Sequence, residues 1–280
     1  MLNYVPRVSQ TPDAQAARRL ETSLGVTPIM ARLLLQRGLD TPEAARDYLS
    51  ASLTQLHDPM DLLDMDRAVT RIRQAVAQGE RITIFGDYDV DGVCATSVLM
   101  LYLRSLGAQV DYYIPHRHKE GYGMNPSAIR TLAEGGAQLI ISVDCGVTAA
   151  AEIALAYDLG MEAIVTDHHE CPEKLPECCA VVNCKRPGQA YPFQGLCGAG
   201  TVGKVVQAMG GVEAVRPYLD LLALATVADI VPLLDENRVL VKLGLEAMAT
   251  PRVGLAALLQ VAGLEGRPSA GQLGRSEERR

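Results

Sequence analysis

Apolar positions change their rhythm twice along the chain. The first 79 residues read as helices joined by short links, over 13–24, 28–37, 42–49 and 65–77. Thr27-Pro28 and Thr41-Pro42 each place a capping hydroxyl ahead of a proline suited to a first helical turn. From Arg81 short apolar runs predict strands over 81–85, 109–114, 138–143 and 162–166, with a further one over 181–183. Longer helical stretches over 93–106, 127–133 and 148–159 separate them. Strands alternating with helices imply an α/β fold, a parallel sheet flanked by helices. Beyond Gly198 the texture is helical again, over 201–209, 212–226, 237–249 and 254–261. The chain is thus expected to divide into a helical N-terminal segment (1–79), an α/β domain (80–235), a helical connector (236–265) and a polar, disordered tail (266–280).

Composition narrows the class. Hydrophobic residues make up 48% and charged residues 21%, values of an ordinary globular chain, which excludes disordered and low-complexity readings. With no Trp and 2 Phe, the core must come from Leu, Val, Ile, Ala and Met, a mix that suits parallel strands under helices. The most apolar region, 221–234, is interrupted by Asp229 and Pro232, so no stretch reaches the roughly 18 residues a membrane span needs. Residues 1–13 hold no basic segment followed by an apolar run, and a cytoplasmic protein is expected. The 7 cysteines fit reduced thiols better than a disulfide framework. Four of them, Cys171, Cys178, Cys179 and Cys184, lie close together but lack the paired spacing of zinc knuckles, so zinc is not expected there. A net charge of -7 argues against coating duplex nucleic acid, but carboxylates gathered around cations also count as negative, so a nuclease stays open.

Ligands of an open parallel sheet bind outside the carboxyl ends of its strands. Three segments bearing acids or histidines fall there: Asp87, Asp89 and Asp91; Asp144; and Asp167-His168-His169. In extended backbone, residues two apart point the same way, so the first three acids would share one side and repel without a cation. Asp87 through Gly92 opens like a calcium loop, but its twelfth position is Val98 rather than Glu. The plainer alternatives are a solvated loop whose acids cap the next helix and, for Asp144, a helix cap. Asp167-His168-His169 is harder to explain as packing, and oxygen with imidazole suits manganese, zinc or iron. Asp229 sits in the apolar stretch 226–232 and must meet a cation or donors. Together these residues outnumber one tetrahedral site and fit two divalent ions bridged by a carboxylate, which points to phosphoryl hydrolysis.

Asp167-His168-His169 resembles the signature of the DHH phosphoesterases, and Gly86 through Gly92 resembles the first motif of their RecJ branch, single-strand-specific 5'-to-3' DNA exonucleases of repair and recombination. Arg37-Gly38, residues 41–44 and Asp58-Pro59 resemble the helical lead-in of that branch. Residues 116–123, 142–146, 197–200 and 225–232 resemble its later motifs, and the likeness spans about residues 28–272. The resemblance implies that 80–235 is a catalytic DHH domain. It also implies that Asp89, Asp91, Asp144, His168 and Asp229 bind two Mn2+ or Mg2+ ions, with Asp144 as the bridge and catalytic roles for Asp87, Asp144 and His169. Gly198, Ala199 and Gly200 open a helix whose free amides would hold a phosphate, and Arg117, His118 and Lys119 would contact the backbone of single-stranded DNA. Family members continue into a second, substrate-binding domain, so the chain is expected to be the catalytic half, with its activity in doubt. Two other readings are a small-substrate phosphodiesterase acting on oligonucleotides or cyclic dinucleotides, and an inactive metal-binding or DNA-tethering fragment. A His is typical of the first motif in the small-substrate branches, and its absence here favours the RecJ branch.

Overall fold

A computed structural model describes residues 13–264 and 266–277. The N-terminal stretch read for a secretory pattern, apart from Asp13, and the last three residues of the expected tail lie outside the described residues. Two compact units divide between Ala51 and Ser52. The first holds α1 (Ala14–Leu24), α2 (Pro28–Gln36) and α3 (Pro42–Leu49) around Ala17, Leu20, Ala31, Leu34 and Ala45. Both Thr-Pro pairs behave as expected. The Thr27 and Thr41 hydroxyls accept the amides of Met30 and Ala44, and each proline opens its helix.

The boundary therefore falls earlier than the sequence suggested, because α4 (Met65–Gln78) belongs to the second unit. Its stripe of Met65, Ala68, Val69, Ile72 and Ala75 is buried in the core of the sheet. That sheet contains β1 (Arg81–Gly86), β2 (Gln109–Tyr113), β3 (Leu139–Val143), β4 (Glu162–Asp167) and β5 (Ala180–Asn183), all parallel, in the order β2-β1-β3-β4-β5. Buried residues on one sheet face, such as Ile82, Ile84, Ile141 and Ile164, share a core with α4, α5 (Val90–Ser105), α8 (Gly198–Gly210) and α9 (Leu219–Ala228). Phe85, Ile140 and Val165 on the other face pack with α6 (Pro126–Glu134) and α7 (Ala150–Asp158).

Two further expectations are corrected. The helix expected over 212–226 is broken into a 3-10 stretch, Val212–Tyr218, and α9, because Pro217 has no amide to continue an α-helical ladder. The connector is not separate: α10 (Asp235–Ala247) lies along α9, and α11 (Val253–Val261) buries Leu255 and Leu259 in the same core. The polar tail is likewise not free of the fold. Residues Ala270–Glu277 form α12, and Leu273, its large apolar residue, reaches the core at 2% exposure.

Strand order 2-1-3-4-5 reverses between β1 and β3, the switch point at which open α/β sheets place their ligands. Register then sets the side chains level. Gly86 pairs with Val143, Val143 with Thr166, and Asp167 with Asn183, so Asp87, Asp144, Asp167 and Asn183 emerge along one edge.

Candidate metal centre

The alternating acids after β1 do not run extended, as the sequence suggested. Asp89 is the N-cap of α5, its carboxylate accepting the Gly92 amide at 2.8 Å, and Asp91 lies within the first helical turn. Helix geometry therefore turns Asp91 away from Asp87 and Asp89, and the three acids enter two different groups. One group of potential ligand atoms joins Asp87, Asp89 and Asp144; a second joins Asp91, His168 and Asp229; a third joins Asp144, His168 and His169. Atoms within each group lie within 4.8 Å of one another. Asp144 and His168 each belong to two groups, so the three are continuous.

Asp144 caps no helix, since α7 starts from Ala149. It holds a left-handed backbone (φ 58°), which a short polar side chain tolerates better than a branched one, while its amide still donates to Thr166 O at 3.0 Å. That turn directs its carboxylate to His168, with Oδ1 3.1 Å from Nε2. Asp91 Oδ2 and Asp229 Oδ2 flank the same imidazole, 3.7 Å from Nε2 and Nδ1 respectively.

Asp167, to which sequence reasoning gave no separate role, organises the centre without joining a ligand group. Its Oδ1 accepts the amides of His168 and His169 and meets Nδ1 of His169 at 2.7 Å, while Oδ2 accepts the Val147 amide. Two further supports were also missed. Buried Asn183 donates to His169 O at 2.9 Å and accepts the Lys185 amide at 2.8 Å. The Tyr122 hydroxyl lies 3.4 Å from His169 Nε2. The signal for Tyr122 was its place between Gly121 and Gly123; for Asn183 it was the polar end of an apolar strand.

The amides at the start of α8 are not available to a phosphate, which corrects that expectation. Gly198 does open α8, as the resemblance implied and three residues ahead of the helical run read from 201, but the Gly198 and Ala199 amides donate to the buried Asp91 carboxylate at 2.5 and 2.8 Å. Gly200 N–H points to Cys197 Sγ. A carboxylate on the chain already occupies the place a phosphate would take at this helix terminus. Arg117, His118 and Lys119 are exposed between β2 and α6, with the Arg117 guanidinium 5.3 Å from the Tyr88 ring centroid. Three of the four clustered cysteines use their thiols locally: Cys178 donates to Ala180 O, Cys179 to Glu162 and Cys184 to Gln194 O. None of the ligand groups among the described residues includes a cysteine.

Charge crowding dominates the electrostatics. Burial, reinforced by Asp91, Asp89, Asp167 and Asp229, pushes the Asp144 carboxyl up to about 11. Burial and the same two neighbours Asp91 and Asp89 push Asp229 up to about 7. Burial raises Asp91 and Asp87 and lowers His168. Asp167 differs: burial pushes it up, but His169 and the amide donors outweigh that and hold it below the ordinary carboxylate value. The hydrogen bond to Asp167 in turn raises His169. Asp87 Oδ1, Asp144 Oδ1 and Asp229 Oδ2 are buried with no hydrogen-bond donor. Unpaired acceptors of that kind are costly and rare. Together with an oxygen-and-imidazole donor set, they fit divalent cations of the manganese or magnesium type.

A parallel sheet carrying this acid and histidine cluster at its switch point defines a phosphoesterase-like α/β domain, and the family comparison agrees. The model of the DHH family, N-terminal domain, matches residues 81–226, and the chain belongs to that family. Among its relatives, the single-stranded-DNA-specific exonuclease RecJ of Bacillus subtilis (strain 168) is 46% identical over 255 residues, 91% of this chain and 32% of the relative. The RecJ of Escherichia coli (strain K12) is 33% identical over 252 residues, 84% of this chain and 43% of the relative. The structure of RecJ in complex with Mn2+ from Thermus thermophilus superposes with a TM-score of 0.78 at 30% identity, over 95% of this chain and 38% of that one. Exonuclease RecJ bound to manganese gives 0.70 at 35% identity, over 76% and 55%. The chain thus spans about a third to a half of the length of these sequence relatives.

Proposed function

We propose that this chain carries the catalytic core of a metal-dependent exonuclease that hydrolyses single-stranded DNA from the 5' end, in the cytoplasm, in the service of DNA repair and recombination. The observation that carries the reading is the continuous set of three ligand groups sharing Asp144 and His168, with three buried carboxylate oxygens lacking donors. Its resemblance in sequence to single-stranded-DNA-specific exonucleases and in fold to manganese- and magnesium-bound RecJ structures supports the substrate and the cofactor, and favours DNA over a small dinucleotide.

In this reading Asp91, His168 and Asp229 would hold one divalent ion, Asp87 and Asp89 would hold the other, and Asp144 would contribute to both. Ions held there supply activation of a water for attack on phosphorus and stabilisation of the leaving oxygen. The chain's own residues do the rest. Asp167 fixes His169 through Nδ1 and leaves Nε2 beside Tyr122 at the opening, where the ring can exchange a proton with substrate. Arg117 and Lys119 offer positive charge, and together with His118 side-chain donors, to the phosphate backbone.

The test is to incubate the purified chain with 5'-labelled single- and double-stranded DNA in manganese, magnesium or chelator. Mononucleotide release from the single strand alone, abolished by chelator, supports the reading. Cleavage restricted to dinucleotides refutes the proposed substrate, and metal-independent cleavage refutes the proposed centre.

A further inference from the structure

Asp91 and Asp229 reach His168 from segments far apart in sequence, and both segments are tied to one side chain. Asn237, in the first turn of α10, is fully buried. Its Nδ2 donates to Gly195 O at 2.6 Å and to Pro232 O at 3.0 Å. Gly195 lies three residues before Gly198, whose amide, with that of Ala199, anchors Asp91. Pro232 lies three residues after Asp229.

The strap from Asp229 to Asp235 needs such a hold. Ile230, directly after Asp229, has a left-handed backbone (φ 59°) that a β-branched residue adopts only under constraint, and its side chain is 89% exposed and packs on little. Asp235 at the far end is left-handed as well (φ 47°). Asn237 is also an expensive choice for mere filling, because its buried Oδ1 has no hydrogen-bond partner. An apolar residue of similar size would avoid that cost, so the amide is explained by its two donated bonds.

We infer that Asn237 is a positioning residue for the Asp91, His168 and Asp229 half of the centre, clamping the strap that carries Asp229 to the loop that delivers the anchor of Asp91. The inference rests on the reading of those three residues as ligands. Losing the clamp lets the strap relax at Ile230 and carry Asp229 away from His168, while Asp87, Asp89 and Asp144 stay fixed by the sheet.

Manganese titration of the whole chain, followed by the electron paramagnetic resonance of free Mn2+, tests this without relying on activity. Wild type, Asn237→Ala, Asp229→Ala and the double variant are compared, with circular dichroism as the check on folding. Asn237→Ala is expected to bind one ion as wild type does and the second at least ten-fold more weakly. In the Asp229→Ala background the same change should cost less than two-fold, because the residue it acts through is already gone. Asn237→Ser, which keeps one donor, should give an intermediate loss, and it replaces the alanine variant if that one does not fold. Two ions bound at wild-type affinity by Asn237→Ala, equal losses at both ions, or additive losses in the double variant would overturn the inference. If Asp229→Ala itself leaves the titration unchanged, the ligand reading falls and the inference with it. If Asp229→Ala weakens one ion and Asn237→Ala weakens neither, only the inference falls.

Discussion

At the scale of single residues, the centre is a set of carboxyls kept together against their own repulsion. Asp144, raised from an ordinary 3.8 to about 11, keeps a proton in the metal-free folded chain that the unfolded chain releases. Stability from this group is therefore fully present below about pH 4 and is lost progressively as pH rises towards 11; Asp229 adds the same trend up to about 7. Asn at position 144 can keep the left-handed turn without the charge. Asp144→Asn is expected to raise the stability of chelated protein at pH 7 by a few kcal/mol, on the order of 2–4, and to flatten its fall between pH 5 and 8. Urea denaturation across that range checks both. The same variant should lose tight manganese binding. In wild type the ions take the place of these protons, so binding should release protons near pH 7 and tighten as pH rises. Calorimetry in buffers of different ionisation enthalpy measures that release, and a buffer-independent heat would contradict it.

At the scale of elements, the helices meet where glycines let backbones approach. A Cβ on Gly244 would collide with the Leu219 carbonyl and Ala223 on α9, whereas one on Gly254, in α11, would meet open space. Gly244→Ala is therefore expected to cost at least about 1–3 kcal/mol through overpacking, and Gly254→Ala to gain about 0.5–1 kcal/mol through reduced backbone entropy. Thermal melts of the two variants should move in opposite directions. Most of these elements were legible in the sequence, because strand runs and helix texture are local signals: β1 to β5 all fall within a residue or so of expectation. The errors came where a long-range partner decides. The start of α8 follows from Asp91 accepting its first amides, 107 residues away. The packing of α12 depends on one leucine entering a core built by other elements. Most of the centre was legible for the same reason the strands were, since all of its acids and histidines except Asp229, which closes α9, follow strand ends. The organising role of Asp167, and Asn183 and Asn237 altogether, were not, because their value lies in hydrogen bonds to backbone that no local pattern displays.

At the scale of the sheet-bearing unit as a whole, a buried ionic network joins regions that the sequence keeps apart. Lys204 Nζ meets Glu236 Oε1 at 2.6 Å and His57 O at 2.7 Å; Glu236 also accepts the His57 amide and the Tyr191 hydroxyl. Lys204 and Glu236 side chains are 3% and 0% exposed. Burial lowers Lys204, but its bonds to Glu236 oppose that. Such a pair adds little over a well-packed apolar one, yet removing either partner strands a buried charge. Lys204→Met should therefore cost about 3–5 kcal/mol in chelated protein, and Glu236→Gln somewhat less, since Gln still offers Tyr191 an acceptor. The double variant, with no charge left to strand, should be more stable than the sum of the two losses by at least about 1 kcal/mol. Glu236 precedes Asn237 on α10, so if the network fixes the position of that helix, Lys204→Met should also weaken manganese at the Asp229 side under conditions where the protein remains folded. Denaturation measured with and without saturating manganese separates these effects: a variant that loses stability but gains as much from the ion as wild type does would show that the network supports the fold and leaves the centre untouched.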